Sequence, residues 1–305
     1  MQYVVTLTAN KSLAPLTSHH AILTETLLKS LGSQLCETRW LSRGTAVDIV
    51  FDKVPLSVAR EKITTRLDPV PVDVNVQELK GRRKRILIAD MDSTIIENES
   101  LDDLADIAGL KSQVEVITEK AMRGEIDFKI ALKERVRLLK GQPETILHRF
   151  LAEKIKITDG AFCLIKTMKT QGAMTALVSG GFSQITEHVA KEVGFDINLG
   201  NQLLISDKKI TGEISTPILN AQSKKKTLYS ISNSQNVKIN DTIAVGDGAN
   251  DIPMLQSAGI GIAFRAKPIV QAATPFRVNH CDLTALLYIQ GYTTAKYTNN
   301  TAAKR

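Results

Sequence analysis

The run ILIADMDSTIIENES, residues 86–100, decides the fold. Its first four residues are a short, continuous apolar segment that ends on Asp90 and Asp92. Such a segment reads as a strand buried on both faces. The pattern returns in MTALVS at 174–179, TIAVGD at 242–247 and GIGIAF at 259–264, with helical spacing between the runs. Buried strands alternating with helices predict an α/β core, a Rossmann-like parallel sheet with helices on both faces. Between the first two strands lies an all-helical insertion. Ser100 reads as an N-cap with Asp103 three residues on, and further helical stretches run over about 113–123, 128–140 and 144–154, broken by Gly124, Gly141 and Pro143. Four short helices inserted after the first strand predict a cap over the sheet's end.

Upstream, residues 3–8, 34–41, 45–51 and 70–77 read as strands, and 17–31 and 55–67 as helices, the first with Ile22, Leu23, Leu27 and Leu31 on its apolar stripe. The order βαββαβ is the ferredoxin-like α+β unit, similar to the small ACT-like domains found beside amino-acid enzymes. The expected division is therefore 1–80 for this domain, 81–97 with 160–292 for the α/β core, 98–159 for the cap, and 293–305 for a flexible tail.

The chain has 305 residues, 43% apolar and 23% charged, an ordinary globular composition long enough for two domains. No apolar run reaches the roughly 18 residues of a membrane span. Met1-Gln2-Tyr3 lacks the basic start and apolar core of a secretory leader. Cys36, Cys163 and Cys281 are too scattered for a disulfide framework or a zinc set, which points to the cytoplasm. The net charge of +7 divides as +1 over 1–80, +4 over 81–85 and +2 over 86–305. One basic linker thus carries most of the excess. It reads as a solvated segment, with a targeting signal or an anion contact as alternatives, and nucleic acid is not an expected partner.

Ligands of open α/β sheets bind beyond the carboxyl ends of the strands, where this sequence places Asp90, Asp92, Ser179 and Asp247. Three carboxylates at one sheet end repel unless a hard cation sits among them, and Mg²⁺ suits carboxylates shared with a phosphate. A plain capping turn is the competing reading of Asp-x-Asp-Ser-Thr. Ser179-Gly180-Gly181, before a helix, is either an anion cradle or a tight turn. Gly246-Asp247-Gly248-Ala249-Asn250-Asp251 is denser, either a set of metal or phosphate contacts or a simple turn. Lys224-Lys225-Lys226 reads as a solvated helix start from which one lysine can reach a phosphate. On the 128–140 helix, Phe128, Ala131, Leu132, Val136, Leu138 and Leu139 form an apolar face into which Arg135 falls. A cation there is either in a structural salt bridge or awaits an anionic ligand group, with Glu97 and Glu99 placed to take a cationic one. The five histidines have no zinc spacing, and neither a Gly-x-Ser-x-Gly elbow nor a Walker loop is present.

In order, DMDSTIIENE (90–99), AMRGEIDF (121–128), ERVRLLKG (134–141), LVSGGF (177–182), a lysine near 224 and VGDGANDIPML (245–255) resemble the haloacid dehalogenase superfamily and, within it, the phosphoserine phosphatase family. The resemblance runs from about 86 to 290. It implies Asp90 as nucleophile and Asp92 as general acid and base. It implies Mg²⁺ on Asp90, the Asp92 carbonyl and Asp247, with Asp251 supporting the metal through water. Ser179, Gly180, Lys224 and Asn250 would hold phosphoryl oxygens, Glu99 the substrate ammonium and Arg135 its carboxylate, with Met122 and Phe128 closing the cap. The implied reaction is hydrolysis of O-phospho-L-serine, the last step of serine synthesis. Phosphoryl transfer to another acceptor such as homoserine, and an amino-acid-sensing regulator, are the alternatives. An amino-acid effector on the N-terminal domain and a homodimer complete the expected partners.

Overall fold

The computed structural model of the chain describes residues 1–122 and 125–297, the side chain of Met122 excepted. Gly124 and residues 298–305, expected as a helix break and a tail, lie outside the described residues. So does the side chain of Met122.

The N-terminal unit is built from β1 (Gln2–Ala9), α1 (Ser18–Ser30), β2 (Cys36–Ser42), β3 (Ala46–Asp52), α2 (Leu56–Leu67) and β4 (Val72–Glu78). Its antiparallel sheet has the order β2-β3-β1-β4. Val5, Leu7, Ile49, Phe51, Ala59, Ile63 and Val76 form its core. This is the α+β arrangement expected from the sequence. On α1 the buried stripe is Ala21, Thr24 and Leu28; Leu23, Leu27 and Leu31 pack partly buried against the same core as expected, while Ile22 is 59% exposed and lies off that face.

The basic linker is only partly solvated: Arg83 and Arg85 are exposed, but Lys84 is buried. Arg82 is paired with buried Asp48 at 2.6 Å, and the Arg83 guanidinium stacks on Tyr292. Lys84 donates to the carbonyls of Gly81 at 2.8 Å and Asn240 at 2.6 Å. Three of its four cations, Arg82, Arg83 and Lys84, thus find partners in the units the linker joins, which a charge count cannot reveal.

The C-terminal unit begins with β5 (Ile86–Ala89). The cap follows as α3 (Ser100–Ile107), α4 (Lys111–Met122), α5 (Phe128–Leu138) and α6 (Thr145–Glu153). The chain returns through α7 (Ala161–Thr170), β6 (Met174–Phe182), α8 (Ser183–Val193), β7 (Ile197–Asn201), β8 (Leu203–Ser206), β9 (Lys209–Ile214), α9 (Ala221–Ser234) and β10 (Thr242–Gly246). It ends with α10 (Ile252–Ser257), β11 (Ile260–Phe264), α11 (Pro268–Ala273), β12 (Phe276–Val278) and α12 (Ala285–Ile289). Six parallel strands take the order β12-β11-β10-β5-β6-β7. Leu87 and Ala89 face one apolar cluster and Ile86 and Ile88 the other, which is why the strand shows no polar alternation. The order sets β5 between β10 and β6, so Asp90, Asp247 and Ser179 emerge side by side.

The two linkers of the cap run together. Ile96 bridges Ile157, and Thr158 N–H donates to the Ile95 carbonyl at 2.9 Å. Glu99, not Ser100, is the N-cap of α3. The β8–β9 hairpin escaped the sequence reading because its turn residues, Asp207 and Lys208, both have positive φ (51° and 58°) without a glycine to mark them. Thr294–Lys296, at the start of the expected tail, form a 3₁₀ turn, and Tyr297 packs on Tyr288 with ring centroids 5.2 Å apart. Among the described residues no helix is long and apolar enough to cross a membrane.

Candidate active site

A cavity of about 610 Å³ lies between the carboxyl ends of the strands and the cap. Asp90, Asp92, Ser179, Gly180, Asp247 and Asn250 line it from the sheet side, and Glu99, Phe128 and Arg135 from the cap side. The sequence-predicted residues are thus brought to one place, apart from Lys224 and Asp251, which stand behind the wall, and Met122, whose side chain is undescribed.

Asp90 follows β5 directly and is 5% exposed. Its Oδ1 accepts from the Met91 N–H at 2.8 Å and lies 2.6 Å from Lys224 Nζ. The same ammonium donates to Asp251 Oδ1 at 2.6 Å, and Asp251 Oδ2 accepts from the Gly248 N–H at 3.1 Å. Of the three consecutive lysines, Lys224 is the buried one, 1% exposed on the inner face of α9. Gly246 is needed here because a Cβ at that position would run into the Asp251 carboxylate.

Carboxylate oxygens of Asp90, Asp247 and Asp251 all lie within 4.8 Å of one another. Burial, with Asp251 adding like charge, pushes Asp90 well above the usual carboxylate range in spite of Lys224. Burial raises Asp247 to about 6, helped by Asp251 and Glu99. Burial opposes the charge on Lys224, but Asp251 and Asp90 outweigh it and hold the lysine above its ordinary value. One ammonium against three carboxylates leaves an excess of negative charge that a divalent cation would neutralise. Hard oxygen donors at this spacing fit Mg²⁺.

Asp92 also reaches the cavity. Ser100 fixes it twice, its N–H donating to Oδ1 at 3.2 Å and its hydroxyl to Oδ2 at 3.1 Å. Burial and the nearby Glu99 raise Asp92 to about 7. Glu99 is held by the Ser93 hydroxyl at 2.8 Å, from a residue with φ 53° that turns the chain out of the strand. Glu97, the competing acid, does not line the cavity.

Arg135 sits on α5 among buried Ala131, Leu132 and Val136, its side chain 16% exposed. Its nearest acid is Asp102, at 3.8 Å, beyond hydrogen-bonding distance. Burial pulls its pKa down, and Asp102, Glu99 and Asp92 push the other way. Phe128 bends over the cradle at β6, its Cζ 3.3 Å from where a Cβ on Gly180 would stand. The Gly180 carbonyl accepts from Asn201 Nδ2 at 2.8 Å, and the Ser179 hydroxyl accepts from the Gly181 N–H at 2.8 Å, so the cradle is fixed from beneath.

Sequence reasoning missed Ser100, Thr94 and Asp102. Ser100 carried a signal, but as a helix cap rather than as the clamp on Asp92. Thr94, whose hydroxyl is 3.4 Å from Asp247 Oδ1, belongs to the Asp-x-Asp-Ser-Thr run and was legible as a polar position only.

Comparison with known proteins agrees with this geometry. Residues 87–256 match the haloacid dehalogenase-like hydrolase family. The phosphoserine phosphatase of Archaeoglobus fulgidus is 40% identical over 229 residues, 74% of this chain and 66% of that one. The chain spans about two-thirds or less of the length of this and two further curated relatives. A haloacid dehalogenase family hydrolase from Salmonella enterica serovar Typhi superposes with a TM-score of 0.83 at 28% identity, over 94% of this chain and 98% of the other. A phosphoserine phosphatase solved as a phospho-aspartyl intermediate analogue superposes with a TM-score of 0.63 at 36% identity, over 68% of this chain and 98% of the other. The chain belongs to the haloacid dehalogenase-like hydrolases and, within them, to the phosphoserine phosphatase family.

Proposed function

We propose that the protein hydrolyses O-phospho-L-serine to L-serine and phosphate through an aspartyl-phosphate on Asp90. One observation carries this reading. A single cavity joins carboxylates and an anion cradle at the sheet to a cap that offers the Arg135 guanidinium and the Glu99 carboxylate. Those two opposite charges complement the carboxylate and ammonium of an amino acid, while the sheet end takes its phosphate.

An Asp90 oxygen attacks phosphorus in line, and the serine oxygen leaves with a proton from Asp92. A pKa near 7 leaves Asp92 largely protonated below neutrality, as an acid must be. Asp92 then takes a proton from the water that attacks the same phosphorus, which releases phosphate and restores Asp90. Ser179, the Gly180 N–H, Asn250 and Lys224 carry the charge on the phosphoryl oxygens. Asp90, the Asp92 carbonyl and Asp247 would hold Mg²⁺, which when bound would offset the negative charge of carboxylate and phosphate. Asp251 keeps Lys224 in place and supports Asp247. Phe128 covers the substrate. The free state of all three cysteines suits a cytoplasmic setting, and the product suits the last step of serine synthesis.

The test is phosphate release from O-phospho-L-serine with Mg²⁺ and with EDTA, beside phosphothreonine and a sugar phosphate. Metal-dependent release confined to phosphoserine is the expected result. Release from the others but not from phosphoserine would discard the substrate and keep the chemistry.

A further inference from the structure

The polar face of β4 is buried against the catalytic unit. Asp73, Asn75 and Gln77 alternate with Val72, Val74 and Val76, so the valines pack in the N-terminal core and the polar residues point out of it. Asn75 pairs with the Arg277 backbone in both directions at 3.0 Å, standing in for a strand beyond β12, the edge of the parallel sheet. Gln77 Nε2 donates to the Ile289 carbonyl at 2.7 Å. Asp73, 4% exposed, accepts from three successive N–H groups, those of Asn279 at 2.7 Å, His280 at 3.1 Å and Cys281 at 3.0 Å. A carboxylate is tolerated at such depth only when satisfied in this way.

The loop that Asp73 holds meets the linker by which the chain leaves the cap. Leu283 N–H donates to the Asp159 carbonyl at 3.1 Å. Gly160, at φ +86°, lies so close that a Cβ would stand 2.8 Å from Thr284 N and 3.0 Å from Leu283 N. Just before it, Thr158 and Ile157 are tied to Ile95 and Ile96 on the outgoing linker, which runs from Asp92 to Glu99. Backbone contacts therefore run without a gap from the N-terminal unit to both linkers of the cap.

We propose that the N-terminal unit is a fixed strut for the cap and that Asp73 is a positioning residue, setting where Arg135 and Phe128 stand over Asp90. The inference rests on the phosphoserine reading for its assay. Sheet-end residues handle the phosphate and cap residues handle the amino-acid head, so a loosened strut weakens recognition of the head and spares phosphoryl chemistry.

The test is Asp73→Asn in the full chain, which replaces an acceptor oxygen with a donor facing N–H groups. It is assayed on O-phospho-L-serine and on p-nitrophenyl phosphate, which has no amino-acid head, with hydrogen exchange read over residues 154–160. The kcat/KM for phosphoserine falls about tenfold or more through KM, and that for p-nitrophenyl phosphate changes by less than about twofold. Exchange over 154–160 quickens while β5 and β10 keep their protection. Equal losses on both substrates, or no loss on either, overturn the proposal. Should Asp73→Asn not fold, Gly160→Ala presses on the same contact from the cap side, and an unchanged substrate ratio there overturns it equally. If the wild-type protein leaves phosphoserine untouched, the proposed function fails, and unaltered exchange over 154–160 then overturns the strut on its own.

Discussion

Lys224 Nζ stands 2.6 Å from Asp90 Oδ1, with the two side chains 2% and 7% exposed. The same nitrogen is 2.6 Å from Asp251, so one buried cation holds the proposed nucleophile and its neighbouring acid at a fixed spacing. Lys224→Met leaves both carboxylates without it. The expected loss in kcat is about 10²–10³-fold, the scale of removing one preorganised donor. Stability falls by about 3–5 kcal/mol, as when one partner of a buried pair is removed. Lys226→Met, on the exposed side of α9, changes neither. Steady-state kinetics and thermal unfolding of the two variants check this, and equal effects would undo the assignment of Lys224.

Asp90→Asn removes the attacking oxygen while keeping the shape. Turnover falls to background, and the melting temperature stays at or above that of the wild type, because the burial and the like charge of Asp251 that disfavour the ionised carboxylate are relieved while Lys224 keeps its pair with Asp251. Activity within about tenfold of wild type would exclude Asp90 as nucleophile.

How far the sequence reached depends on what each residue's signal contained. The parallel core was legible because Ile86, Ile88, Leu87 and Ala89 are buried on two faces and leave no polar alternation to confuse the period. Asp90, Asp92 and Asp247 were legible because strand ends are where such sheets bind ligands. Lys224 could be chosen among three lysines only by helical register, and its ion pairs with Asp90 and Asp251 depend on the fold of a distant loop. Asp73, Asn75 and Gln77 announced a polar face by period two, but alternation does not say what covers a face. Here it is the catalytic unit rather than water. The β8–β9 hairpin was hidden because its left-handed turn is made by Asp207 and Lys208.

Stability without metal should fall as pH rises. Asp92 and Asp247 titrate near 7 and near 6 in the folded protein, against an ordinary carboxylate value of 3.8. Between the ordinary and the raised values the folded state keeps protons that the unfolded chain has released, so unfolding becomes easier with each step upward in pH. Mg²⁺ binds the ionised Asp247 carboxylate of the folded state alone and opposes this. The melting temperature in EDTA is therefore lower at about pH 8 than at about pH 5, and the rise on adding Mg²⁺ is larger at the higher pH. Calorimetry at both values decides. A metal-induced rise that is equal at the two, or larger in acid, would remove Asp247 from the metal site.

Arg135 separates recognition from chemistry. It is a mostly buried guanidinium whose nearest acid, Asp102, is 3.8 Å away, so its donors are left for a ligand. A hydrogen bond to a charged group contributes about 1.5–3 kcal/mol, so Arg135→Ala should raise KM for phosphoserine by about tenfold to a hundredfold. Turnover of p-nitrophenyl phosphate, which has no carboxylate, stays near wild type. Arg135→Lys recovers only part of the loss, because a point charge cannot reproduce the planar fork that grips a carboxylate. Equal losses on the two substrates would mean that Arg135 serves to hold Asp102 and the cap helices together, and the carboxylate would then have to be sought elsewhere on the cavity wall.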